Sequence, residues 1–226
     1  MIKKILTLLI AIVLNLSCFG QQNGKAYYYT KSNESTKANS NPDGSILIDS
    51  TEFVLTFNEN FAKYELTVAS NLNTEHKLSL IFSGYKGPYY FDFKKNDVYR
   101  TYKKYLIQKK ADTFKWTLTK EKVELNGFTC FKATAEIEFQ NRSRIIKRPV
   151  VAWYSPELNI NAGPNGFSGL PGLIIQLEYR NNVTTLSKVK LYKSPLKVNI
   201  PKNSKILSEE DFDAMLKEII HERDKN

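Results

Sequence analysis

The stretch FKWTLTKEKVEL (114–125), NG (126–127), FTCFKATAEIEF (128–139) decides the fold class. Asn126 and Gly127 form the pair that accepts the positive φ angles of a two-residue type I′ turn, whose twist matches that of two paired strands. The flanking arms are rich in Thr, Val, Phe and Ile, side chains that suit a pleated, half-buried surface. The outgoing arm alternates, with Phe128, Cys130, Lys132 and Thr134 on one face and Thr129, Phe131, Ala133 and Ala135 on the other. This is an antiparallel hairpin.

The same pattern repeats outward. Residues 52–57 and 62–69 flank Asn58, Glu59 and Asn60. Residues 89–93 and 98–105 flank the turn from Lys94 to Asp97, and 173–179 and 183–192 flank Asn181 and Asn182. A Tyr-rich first strand spans 25–32. The run 144–154 contains Pro149, which cannot donate to a ladder and marks a bulge or an edge. Nine or ten strands joined mostly by hairpins predict a mainly β chain: an antiparallel meander forming an open (half) barrel or a sandwich. Residues 33–45, almost wholly Asn, Ser, Lys, Pro and Gly, read as a mobile loop. One C-terminal amphipathic α-helix is predicted over about 208–224. Ser208 caps it, Glu209, Glu210 and Asp211 favour its positive end, and Phe212, Met215, Leu216, Ile219 and Ile220 form the stripe that docks on the sheet.

With 226 residues, 42% hydrophobic and 25% charged, the chain has the composition of a folded protein, and 12% aromatic residues favour strands. A single β domain over 21–226 is expected. The formal charge is +10, but Arg stands only at 100, 142, 144, 148, 180 and 223. A Lys surplus lacks the planar forks that read phosphate and guanine, so no nucleic-acid partner is expected. Residues 1–20 combine Lys3 and Lys4, an apolar run from Ile5 to Leu14, and Ser17, Cys18, Phe19 and Gly20. They read as a signal peptide, because the run is shorter than the ~20 residues of a membrane span. Cleavage after Gly20 exports a chain beginning at Gln21 to the periplasm or outer membrane, with no transmembrane span after cleavage. Lipidation at Cys18 is the alternative, disfavoured by Asn15 where a lipobox places an aliphatic residue. Cys130 then remains alone, in an apolar context that suits a buried, inert thiol.

The chemistry-bearing residues are sparse. His76, His221 and Cys130 lack ligand spacing, so no metal site is expected, and neither a cofactor motif nor a catalytic residue is assigned. A hydrolase would need Asp92, Asp97, Glu136, Glu138, Glu157 or Glu178 to converge. An aromatic and basic run, Tyr85, Lys86, Tyr89, Tyr90, Lys94, Lys95, Tyr99, Arg100, Tyr102, Lys103 and Lys104, offers a wet strand face. Such a face meets solvent, a glycan, an anionic lipid head or a receptor loop.

The most unusual segment is Gly163, Pro164, Asn165, Gly166, Phe167, Ser168, Gly169, Leu170, Pro171, Gly172, Leu173, Ile174. Its Gly and Pro content excludes a strand interior, and Leu170, Leu173 and Ile174 would pin a compact loop to the core. The hexapeptide 169–174 resembles the signature of the GLPGLI family of secreted Bacteroidetes proteins. Trp116, the Asn126 and Gly127 turn, Phe128, Cys130, Lys132, Ala133, and the run Ala152, Trp153, Tyr154, Pro156 extend the resemblance. The longer connection between Ala135 and Ala152, with Arg142, Arg144 and Arg148, departs from it. The resemblance implies an envelope location and a β-rich fold, and it supplies no catalytic residue. Because such proteins often accompany TonB-dependent receptors, it implies an outer-membrane receptor or another envelope protein as partner. A lipid or peptide ligand stays open beside it. The candidate binding loop comprises Gly163, Pro164, Phe167, Gly169, Leu170, Pro171, Gly172 and Leu173, with a purely structural role as the alternative. The expected function is a non-enzymatic binding or assembly factor. A carrier holding an apolar ligand in a half-barrel cavity, and a carboxylate-based hydrolase, are the alternatives.

Overall fold

The computed structural model describes residues 22–32, 51–67, 84–141, 144–202 and 204–223. The leader expected at 1–20, the mobile loop expected at 33–45 and His76 lie outside the described residues. Twelve strands form one sheet: β1 (Gly24–Ser32), β2 (Thr51–Phe57), β3 (Phe61–Leu66), β4 (Tyr89–Asp92), β5 (Asp97–Tyr102), β6 (Tyr105–Lys110), β7 (Thr117–Leu125), β8 (Phe128–Asn141), β9 (Arg144–Ser155), β10 (Leu173–Tyr179), β11 (Asn182–Leu191) and β12 (Lys205–Ser208). Their order is β12-β6-β5-β4-β3-β2-β1-β11-β10-β9-β8-β7. All neighbours pair antiparallel except β12, which runs parallel to β6. The sheet does not close into a barrel. Helix α1 (Glu209–Arg223) follows β12 directly, and Ser208 Oγ accepts a hydrogen bond from the Asp211 amide at 3.0 Å, the expected cap.

The Asn126–Gly127 turn is the one the sequence dictates, whereas the β10–β11 turn falls one residue earlier than the expected Asn181 and Asn182, because Asn182 already pairs with Tyr179. Asn126 (φ 51°) and Gly127 (φ 80°) join β7 to β8, and Arg180 (φ 55°) and Asn181 (φ 61°) join β10 to β11. Pro149 lies beyond the point where β10 stops pairing with β9, so that end of β9 is a local edge, and its register with β8 runs unbroken through the proline. The run 98–105 is two strands rather than one. Lys103 turns the chain at φ 51°, and β5 and β6 pair back on each other from Tyr102 opposite Tyr105.

Register lines up the core. One row crosses the sheet through Ala26, Leu55, Tyr64, Tyr89, Arg100 and Ile107, and the next through Gly24, Phe57, Ala62, Phe91, Val98 and Lys109. The apolar members of both rows are buried. Against this face packs the segment that leaves β9. Leu158, Ile160 and Ala162 join the cluster of Tyr28, Phe53 and Phe57, while Phe167 and Leu170 join Ala152, Tyr154, Ile174 and Leu177. The other face of β4–β6 buries Tyr90, Tyr99 and Leu106 beneath Ile200, from the crossover that connects β11 to β12.

Candidate functional site

The glycine segment is held from several sides. Trp116 Nε1 donates to the Ser168 carbonyl at 2.7 Å, and Ser168 Oγ donates to the Ala111 carbonyl at 2.9 Å. Phe114 stacks on Phe167 with centroids 4.6 Å apart, and Tyr28 OH donates to the Ile174 carbonyl at 2.8 Å. Gly166 (φ 78°) lies so close to Tyr89 that a Cβ would stand 2.5 Å from its ring, and a Cβ on Gly172 (φ 155°) would overlap the Ser155 carbonyl. Of the eight candidate loop residues, Gly163, Pro164, Phe167, Leu170, Gly172 and Leu173 are buried, whereas Gly169 and Pro171 are exposed.

Beside Phe167 a pocket of about 330 Å³ opens. Tyr89 of β4, Val98 and Arg100 of β5, and Ile107 and Lys109 of β6 line one side. Phe114, Asn165, Phe167, and Glu136, Ile137 and Glu138 of β8 line the other, with Lys86, Tyr179, Arg180 and Glu209 at its margins. Eight strands separate β6 from β8 in the sheet, so their meeting at one pocket shows that the sheet curls toward itself. Residues remote in sequence converge here.

Four cations face the pocket: Lys86, Arg100, Lys109 and Arg180. Arg100 and Lys109 are half-buried, and Lys86 and Arg180 are exposed. The Lys109 ammonium lies 4.1 Å from the Phe114 ring centroid, and the Arg100 guanidinium 5.1 Å from that of Phe212 in α1. Desolvation, with Arg100 and Lys86 adding to it and Glu209 opposing, pulls the Lys109 pKa down to about 8. Desolvation lowers that of Lys86 as well. Glu136 and Glu138 are engaged by Lys147, at 3.8 Å and 2.8 Å.

A second pocket, of about 340 Å³, is lined by Asp92, Asp97, Asn96, Phe91, Ile160 and neighbouring residues. Its buried carboxylates already have partners. Asp97 receives Lys110 Nζ at 2.7 Å and Gln108 Nε2 at 2.9 Å, and Asp92 accepts the Lys95 amide at 3.1 Å. Glu157 accepts the Thr129 amide at 2.9 Å, and Glu178 accepts from Gln176 at 3.2 Å, so the six carboxylates fall into two neighbouring pairs, Asp92 with Asp97 and Glu136 with Glu138, and two that line neither pocket. His221 is exposed on α1, and the Cys130 thiol is buried with its pKa pushed up by desolvation to about 11. The aromatic and basic run divides. Lys86, Tyr89 and Arg100 turn to the pocket, Tyr90 and Tyr99 are buried on the other face, and Lys103 and Lys104 form a turn. Lys109 and Arg180 were not among the residues the sequence singled out. The signal available was the alternation of Ile107 and Lys109 with Leu106, which places a lysine in an apolar row.

Residues 144–176, from β9 through the hexapeptide into β10, match a family model described as "Protein of unknown function (Porph_ging)". No curated protein matches the chain. Solved structures of PNGF-II in the C2 and P21 space groups share the fold, with TM-scores of 0.52 and 0.50 at 15% identity. Each likeness covers 86% of this chain and 32% or 33% of that one, so the chain spans about a third of the length of the structures it matches.

Proposed function

We propose that this chain is an exported, non-enzymatic binding protein of the GLPGLI type that receives its ligand at the mouth of the curled sheet. The observation that carries this reading is the pocket itself, where β4–β6, β8, the glycine loop and α1 converge around side chains that find little compensation within the fold. The six carboxylates do not gather at one place, and the two pairs among them, Asp92 with Asp97 and Glu136 with Glu138, are engaged by neighbouring lysines, which supports binding over hydrolysis. Leu158, Ile160, Phe167 and Leu170 occupy the space a half barrel would offer an acyl chain, which weighs against the apolar carrier. The leader and the family resemblance support an envelope setting with an outer-membrane receptor or envelope protein as partner. The test is to purify the protein from its own envelope, extract what it holds, recombine the two and recover the small molecule. A binding protein returns it chemically unchanged. A converted product, with conversion lost in Glu136→Gln, Glu138→Gln or Asp92→Asn, overturns the reading.

A further inference from the structure

Arg100 and Lys109 occupy positions that the register otherwise gives to the core. Arg100 stands in the row of Leu55, Tyr64, Tyr89 and Ile107, and Lys109 in the row of Phe57, Ala62, Phe91 and Val98. Cations in such rows lose hydration, a loss that folded proteins ordinarily offset with a carboxylate in contact. Here, among the described residues, no carboxylate lies within 4.0 Å of Arg100, Lys109, Lys86 or Arg180. Glu209 acts on Lys109 and Lys86 from farther away, and Glu136 and Glu138 are turned to Lys147. Aromatic faces hold the two charges in place instead, Phe114 under Lys109 and Phe212 under Arg100. The pocket therefore presents four converging cations against three acids, Glu136, Glu138 and Glu209, none of them in ion-pair contact with any of the four, beside an apolar wall of Phe114, Phe167, Ile107 and Val98.

Resting on the binding reading above, we propose that this pocket receives a compact oxyanion head, a carboxylate or phosphate monoester, carried on a small apolar body. Arg100 and Lys109 grip the head, Lys86 and Arg180 draw it in, and the body lies against Phe114 and Phe167. A pocket of about 330 Å³ suits one small organic acid rather than a long chain. Charge-assisted hydrogen bonds in a partly desolvated site supply the affinity.

The test is calorimetry on the mature protein with phenyl phosphate, phenylacetate, the neutral phenylacetamide and inorganic phosphate at pH 7 and pH 9.5. Either or both acids bind, and phenylacetamide binds at least ~10-fold more weakly than the better acid. Inorganic phosphate binds more weakly than phenyl phosphate. Lys109, with its pKa near 8, loses its proton between the two pH values, and Lys86, whose pKa desolvation also lowers, moves in the same direction, while Arg100, Arg180, Glu136, Glu138 and Glu209 are the other charged groups that face the pocket. Affinity therefore falls at pH 9.5. Lys109→Met and Lys86→Met each weaken binding, the first by ~10-fold or more, while Lys104→Met on the β5–β6 turn leaves it unchanged. Lys109→Met removes a charge from an apolar row and keeps the melting temperature at or above that of the wild type, so its loss of binding is not a loss of fold. The proposal is overturned if neither acid binds at millimolar concentration, if the amide binds as well as the acids, or if Lys109→Met retains full affinity. A neutral molecule recovered from envelope-purified protein would overturn the oxyanion assignment while leaving the binding reading intact.

Discussion

Gly172 and Lys109 show how single positions balance fold against site. Gly172 adopts φ 155° with its α-carbon against the Ser155 carbonyl, so a side chain there meets backbone that cannot swing aside. Gly172→Val is expected to cost ~3 kcal/mol or more and to lower the melting temperature by several degrees. A melting curve matching the wild type would show that the loop adjusts freely. Lys109 acts in the opposite sense. Its folded pKa of about 8 lies below the ordinary 10.5, so between these values the unfolded chain holds a proton that the folded chain has released. Stability therefore rises with pH from about 8 toward 10. Above that, Tyr89 and Tyr99, pushed up to about 12 by burial, keep protons that the unfolded chain loses, and stability falls. Thermal melts across pH 7 to 10 should show Lys109→Met more stable than the wild type at pH 7, with the gap closing toward pH 10. A constant gap would mean that Lys109 does not titrate in this window.

Among the elements, the hairpins were legible because their turns are local chemistry. Asn126 and Gly127, or Asn58 with its carboxamide accepting from the Asn60 and Phe61 amides, reverse the chain whatever surrounds them. The break at Lys103 was hidden, because a lysine at positive φ carries no turn signature and the aromatic pattern runs straight through it. β12 was hidden too, since four residues pairing parallel to β6 depend on a crossover of tertiary origin. The stripe on α1 was legible, yet its docking is uneven: Phe212 is buried against Tyr102 at 4.8 Å, while Ile219 and Ile220 are each 50% exposed. Phe212→Ala is accordingly expected to cost ~3 kcal/mol and Ile219→Ala or Ile220→Ala less than ~0.5 kcal/mol in chemical denaturation. Equal losses from all three would require a partner surface on the exposed end of the helix.

At the scale of the whole molecule, one sheet curls until β6 and β8 share a pocket, and the glycine segment fills the interior that this curvature creates. Sequence pattern conveyed the meander and the compact loop, because both are written in neighbouring residues. It could not convey the pocket, whose cations come from the approach to β4, from β5 and β6, and from the β10–β11 turn, and meet only through the curl. The leader expected at 1–20 belongs to this scale as well, and on that proposal intact-mass measurement should find a mature chain starting at Gln21 without lipid; a diacylglyceryl group on Cys18 would place the protein on a membrane instead. The central claim, that the mouth of the curled sheet is the ligand site, is tested most directly by native mass spectrometry of wild-type and Lys109→Met/Arg100→Met protein purified from the same envelope. The account predicts a bound small molecule on the wild type that is absent from the folded double variant. Retention of the same molecule by the folded variant would contradict it.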